Sequence, residues 1–130
     1  MNLDLTGKRA VVCGSTQGIG MATATELAAL GASVTLVARN EEKLQTTQAS
    51  LDTSKGQSHD YISADFGDPE GLKAKITAWT AANGPANILI NNTGGPPGGP
   101  ANAADLEEFQ QAFSNHLLCN HIMMQRWWKA

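Results

Sequence analysis

The run Gly14-Ser15-Thr16-Gln17-Gly18-Ile19-Gly20 sets the tightest limit on what this chain can fold into. It follows a short apolar run, Arg9 to Cys13, and leads into Met21 to Ala28. The order is strand, glycine turn, helix. Gly14 allows a tight turn, Gly18 lets backbone approach a ligand, and Gly20 lets the helix pack closely on the strand. The amides of such a turn can face a phosphate, and the helix dipole adds positive potential there. A nucleotide pyrophosphate is the first ligand to consider.

The rest of the chain repeats the alternation. The first strand covers Lys8 to Cys13, and the first helix runs from Gly18 to Leu30 with Gly31 as its stop. Strand two, Ser33 to Ala38, is nearly continuous in apolar character, as expected when both faces are covered. The second helix starts at Asn40 as N-cap, with Glu41 and Glu42 in its first turn. Strand three spans His59 to Ala64. Asp68 and Pro69 open the third helix, and Gly84-Pro85 end it. Strand four spans Asn87 to Asn91.

A loop follows, Gly94-Gly95-Pro96-Pro97-Gly98-Gly99-Pro100, too rich in Gly and Pro for regular structure. It reads either as a linker or as a lip over a site at the strand ends. The final helix begins at Asp105, with Glu108 completing a capping box, and is expected to continue to Ala130. Leu106, Phe109, Phe113, Leu117, Met124 and Trp127 form an apolar stripe along it, and Trp127-Trp128 suggest core or a partner surface.

This βαβαβαβα order predicts an α/β fold, a Rossmann-like doubly wound parallel sheet with strand order 3-2-1-4. Residues 1–130 form one domain in this reading. The crevice between the ends of strands one and four is the topological switch point, where ligands bind in such sheets.

Net charge is -3 and charged residues make up 16% of the 130, with no basic cluster, which argues against a nucleic-acid groove or an anionic membrane surface. No run is long enough to span a bilayer. Cys13 and Cys119 read as free thiols in a reducing compartment, and the cytoplasm is the default. His116 and His121 stand about 140° apart round a helix, His59 is isolated, and no metal site is expected.

Three further features fall where a dinucleotide fold needs them. After strand two, an NAD-binding fold places an acid roughly 20 residues past the glycines for the ribose 2′-hydroxyl. Here Arg39 and Asn40 follow Ala38 instead. A guanidinium pairs with a 2′-phosphate, so NADP(H) is preferred over NAD(H). Asp65, followed by Phe66, stands after strand three, where a carboxylate could accept from an adenine amino group or simply form a turn. Asn91-Asn92-Thr93-Gly94 end strand four, where paired amides could bond a cofactor or brace strand four against strand one.

Together these residues resemble the short-chain dehydrogenase/reductase family. Its signatures are Thr-Gly-x-x-x-Gly-x-Gly, an Asp after strand three and Asn-Asn-Ala-Gly after strand four. Cys13 and Thr93 depart from them. The branch it resembles includes the 3-oxoacyl-acyl-carrier-protein reductases. The resemblance implies an NADP(H)-binding N-terminal portion of an oxidoreductase that moves hydride between nicotinamide and a carbonyl or alcohol. Gly14 to Gly20 would hold pyrophosphate, Arg39 the 2′-phosphate, Asp65 the adenine, and Asn91 to Gly94 the stretch from the adenosine ribose to the nicotinamide side.

The family's proton donor is a Tyr in Tyr-x-x-x-Lys, assisted by a Ser. The one tyrosine here, Tyr61, has no Lys at that spacing. A catalytic Asn of the family lies on the helix after strand four. Spacing puts His116 in that slot and residue type favours Asn115, and both remain open. The 130 residues are therefore expected to lack turnover on their own. The fold is expected to be truncated after that helix, leaving strand four an edge and favouring association through it and the last helix. Two other readings stand: a non-catalytic nucleotide-binding or assembly module, and a domain using the same loop for S-adenosylmethionine.

Overall fold

The computed structural model describes residues 3–95 and 98–127. Pro96 and Pro97, and Trp128 to Ala130, to which the sequence extends the last helix, lie outside the described residues. The elements are β1 (Arg9–Cys13), α1 (Gly18–Ala29), β2 (Ser33–Ala38), α2 (Glu41–Ser50), β3 (Asp60–Ser63), α3 (Pro69–Asn83) and β4 (Ile88–Ile90). A 3₁₀ turn (Ala101–Ala103), α4 (Leu106–Phe113), a π-helical turn (Ser114–Leu118) and α5 (Cys119–Trp127) follow.

All strand pairs are parallel, in the order β3-β2-β1-β4. Val11 of β1 sits between Thr35 of β2 and Leu89 of β4, and Leu36 pairs with Tyr61 of β3. The chain is thus the Rossmann-like sheet that the alternation predicts.

Successive residues of β1 point to opposite faces, and both faces are covered. Ala10 and Val12 pack with Val34 and Leu36 against Ala24 and Ala28 of α1 and Leu44 of α2. Val11 and Cys13 pack with Val37 and Ile62 against Leu72, Ile76 and Trp79 of α3 and Cys119 and Met123 of α5. On α1 the buried residues are Gly20, Ala24 and Ala28, so small side chains bring this helix close to the sheet.

The helix starts follow their caps. The side chain of Asn40 accepts from Lys43 N at 2.9 Å, and that of Asp68 from Gly71 N at 3.0 Å. The Glu108 carboxylate accepts from Asp105 N at 2.9 Å, one half of a capping box. Gly31, at φ 101°, follows α1 in the left-handed conformation that glycine adopts most easily.

Three expectations need correction. Strands three and four are shorter than the sequence suggests, and at the start of each a side chain takes one bond that a backbone carbonyl would otherwise take. Arg9 N donates to the Asn87 side chain at 2.9 Å, and Val34 N donates to His59 Nδ1 at 3.1 Å. His59 is therefore not isolated. Its Nε2 lies 2.8 Å from the carbonyl oxygen of Asp52, and its own carbonyl accepts from Gln48 Nε2 at 2.7 Å. Finally, the last helix is not one uninterrupted α-helix, because the π-helical turn divides it.

The apolar stripe faces outward on α4, where Leu106, Phe109 and Phe113 are exposed, as are Leu117 and Met124 beyond it. Trp127 is partly buried and meets Trp79 edge-on, with ring centroids 6.1 Å apart. Arg9 lies over the other ring, 5.6 Å from the Trp79 centroid. β4 is a sheet edge among the described residues, and its three residues are only half-buried.

The His59 ring ties β2 to the α2–β3 connection, alongside the Ser33 hydroxyl, which accepts from Ser58 N at 3.2 Å. Replacing His59 with Ala leaves the amide of fully buried Val34 without its acceptor. His59→Ala should lose about 1–3 kcal/mol in urea unfolding. A midpoint equal to that of the unsubstituted chain would count against this clamp.

Candidate functional site

The glycine turn, the ends of β2 and β4, and the start of α2 enclose one cleft. β1 ends at Cys13, and Gly14 N donates to Val37 O at 2.9 Å, carrying the ladder one step further. Gly14 then turns the chain at φ 58°. A Cβ at Gly14 would collide with the carbonyl oxygen of Asn92, and one at Gly20 with the carbonyl oxygen of Gly14. Gly18 differs from both. Its φ is 54°, and nothing stands within 4 Å of where its Cβ would be. Backbone is bare there.

Gln17 is the N-cap residue of α1, and its side chain caps no amide. No acidic residue occupies the first turn. The amides of that turn thus remain available to an anion, reinforced by the dipole. Ile19, 77% exposed beside them, leaves an apolar surface at the cleft mouth.

A cavity of about 500 Å³ opens over this turn. Gly14, Thr16, Gln17, Gly18 and Ile19 form its floor. Arg39, Asn40 and Lys43 line the β2–α2 side, and Asn92, Thr93 and Gly94 the β4 side. A smaller cavity of about 240 Å³ adjoins it, with Arg39, Phe66, Thr93 and Gly94 shared between the two. Asp65, Gly95 and Asn115 complete the smaller one. The loop after β4 therefore borders the cleft through Gly94 and Gly95.

Most of the residues singled out from sequence meet here, and four do not line the cleft. Ser15 is fully buried, with its hydroxyl 3.5 Å from Val37 O. Gly20 packs inside the turn. Asn91 is exposed and lines neither cavity. His116 stands behind Thr93, with Nδ1 2.6 Å from the threonine hydroxyl.

Asn92 performs the bracing role open to it, donating from Nδ2 to the carbonyls of Gly14 at 3.3 Å and Cys13 at 3.4 Å. The Asp65 carboxylate accepts from Gly67 N at 2.8 Å, a turn contact, while the residue lines the smaller cavity. Asn115 accepts from Gln111 Nε2 at 3.1 Å.

Lys43 is a cleft residue that the sequence reading missed. The available signal was its position three residues after the Asn40 cap, in the turn that follows Arg39. Two cations on one wall, with no acidic residue among those lining the larger cavity, favour a multiply charged anion. The buried Cys13 thiol next to the turn is pushed up to about 12, first by burial and then by the neighbouring Cys119 thiol. It is inert packing at neutral pH. Among the described residues, no group of three or more His, Cys, Asp and Glu could hold a metal ion. No helix there is long and apolar enough to cross a membrane.

Residues 8–128 match the family described as short chain dehydrogenase. A gluconate 5-dehydrogenase of Gluconobacter oxydans is 33% identical over 118 residues, 91% of this chain and 44% of its own length. The crystal structure of L-sorbose reductase from Gluconobacter frateurii, complexed with NADPH and L-sorbose, superposes with a TM-score of 0.88 at 30% identity. The match covers 98% of this chain and 48% of that one. A metagenomic short-chain oxidoreductase in complex with NADP gives a TM-score of 0.84 at 31% identity, over 95% of this chain and 56% of the other. The chain spans about half the length of the solved structures it matches.

The turn itself yields a sharp test. Alanine at position 20 sits in a helix, where it would ordinarily gain about 0.5–1 kcal/mol over glycine. Its Cβ has no room against the Gly14 carbonyl. Gly20→Ala should therefore lose about 1–3 kcal/mol in thermal or urea unfolding, while Gly98→Ala, in open space, should be near neutral. Equal stability of the two variants would refute the close packing.

Proposed function

The chain belongs to the short chain dehydrogenase family, and on that premise we propose that it is the NADP(H)-binding part of an oxidoreductase. The reaction is hydride transfer between the bound nicotinamide and a carbonyl or alcohol substrate. The observation that carries the cofactor choice is the cation pair Arg39 and Lys43 on one cleft wall. A carboxylate suited to a ribose 2′-hydroxyl would repel a 2′-phosphate, and two cations attract it.

The residues divide the work. Amides of Ser15, Thr16, Gln17, Gly18, Ile19 and Gly20 cradle the pyrophosphate at the uncapped start of α1, and Gly14, whose own amide bonds Val37 O, shapes the turn. Arg39 and Lys43 hold the 2′-phosphate, with Asn40 fixing the turn between them. Asp65 and Phe66 border the adenine. Asn92, Thr93 and Gly94 line the path from the adenosine ribose toward the nicotinamide, and Asn91, just after β4, leads into them. Asn115 or His116 occupies the position of the family's catalytic Asn. The buried free thiols Cys13 and Cys119 fit a reducing compartment, the cytoplasm in this reading.

A second reading, a non-catalytic nucleotide-binding or assembly module, is favoured by one feature. These 130 residues hold no Tyr-x-x-x-Lys to donate and recover the proton. In both readings residues 1–130 act as one unit without turnover of their own.

Binding titrations with NADPH and NADH test the cofactor site. Arg39→Ala should weaken NADPH by about tenfold or more, Lys43→Ala by a smaller factor, and NADH should hardly change. Equal losses for both nucleotides would remove the 2′-phosphate role. Turnover of any carbonyl substrate by the same samples would end the claim that this part is only a binding unit.

The exposed face of α4 and α5 is the surface for a second copy. Leu106 is 81% exposed and Phe113 57%, and both continue into Leu117. Sedimentation should find self-association that weakens in Phe113→Glu. A monomer at high concentration would argue against it.

A further inference from the structure

Thr93 and His116 come from different elements and meet in one short contact. The hydroxyl oxygen of Thr93, in the loop after β4, lies 2.6 Å from His116 Nδ1. His116 sits in the π-helical turn. Such turns are rare within α-helices and concentrate at functional sites. The other ring nitrogen of His116, Nε2, is buried with no hydrogen-bond partner among the described residues. One bond therefore decides how this imidazole is held.

The geometry gives Thr93 a second face. It lines both cavities of the cleft, whereas His116 lines neither. Thr93 thus connects the ring to the wall of the space a ligand would fill. Asn115 does not compete for this role, since it bonds Gln111 and borders the smaller cavity.

We propose that Thr93 is the positioning residue of His116, and that the two act as one polar unit in the wall of the cleft. A hydroxyl can donate to a bare Nδ1 or accept from a protonated one, and the neutral ring carries one hydrogen. In either arrangement Nδ1 is engaged by the hydroxyl, so the bond holds the ring in a single orientation. In return the ring fixes the Thr93 side chain, and with it the cleft wall from Asn92 to Gly94. The effect of the pair on a bound nucleotide rests on the function proposed above. The pairing itself does not.

Two measurements separate these statements. The first reads the ring-nitrogen shifts of His116 by NMR in the unsubstituted chain, Thr93→Val and Thr93→Ser. The Nδ1 shift of Thr93→Ser should stay with that of the unsubstituted chain, while Thr93→Val, which loses the bond, should move it. Shifts unchanged in Thr93→Val would overturn the proposal. Should that variant fail to fold, Thr93→Ala against Thr93→Ser makes the same comparison.

The second is a double-mutant cycle on NADP⁺ affinity with Thr93→Val, His116→Phe and the pair. Each single variant should lose about 3–10-fold, and the double should lose no more than the worse single. Losses that multiply would mean the residues act separately and would overturn the unit. Failure of the unsubstituted chain to bind any nicotinamide nucleotide would sink the proposed function instead, and the NMR comparison would still decide the pairing.

Discussion

The close approach of Gly14, Gly20 and Asn92 holds this site together. Three elements converge there: the end of β1, the first turn of α1 and the segment leaving β4. None of the three backbones could come so near if position 14 or 20 carried a Cβ. The amide of Asn92 then closes the gap, donating to both Cys13 and Gly14. Glycine's freedom is thus used for proximity as much as for a turn. The helix dipole, the bare Gly18 backbone and the β4 loop share one cleft because of this contact.

Around that fixed point the electrostatics are asymmetric. The α1 side offers uncapped amides and no acid in the first turn. The α2 side offers Arg39 and Lys43, both exposed to solvent. The β4 side is neutral, built from amides and a hydroxyl. A ligand with phosphate at one end and an uncharged ring at the other matches this gradient. Glu41 and Glu42, in the first turn of α2, do not line the cavity and stabilise that helix against its own dipole.

Most of the fold was legible in the sequence because its signals are local. Asn40, Asp68, Pro69 and Gly84 mark helix ends by chemistry confined to a few residues. Strand order followed from alternation and crossover handedness. What stayed hidden depends on partners distant in sequence. His59 reads as an isolated histidine until Val34, 25 residues away, is set beside it. Lys43 reads as an ordinary helix lysine until the cleft wall is assembled. Thr93 is a small departure from a family signature, and its contact with His116 spans 23 residues. Spacing favoured His116 and residue type Asn115, and the fold places these neighbours differently, Asn115 at the smaller cavity and His116 against Thr93.

The π-helical turn has a consequence for how this helix tolerates change in chain length. Each residue advances an α-helix by about 100°, and a turn closed five residues apart accommodates one residue beyond the usual four. Ser114 to Leu118 thus work as a gearing element. The outward face of α4 and the sheet-facing Cys119 and Met123 of α5 are set in phase by that extra residue. Removing one residue here would leave composition almost untouched, yet it would turn the two segments relative to each other by more than a quarter of a circle. Length at this point, more than the identity of any single side chain, decides which surface each half of the helix presents.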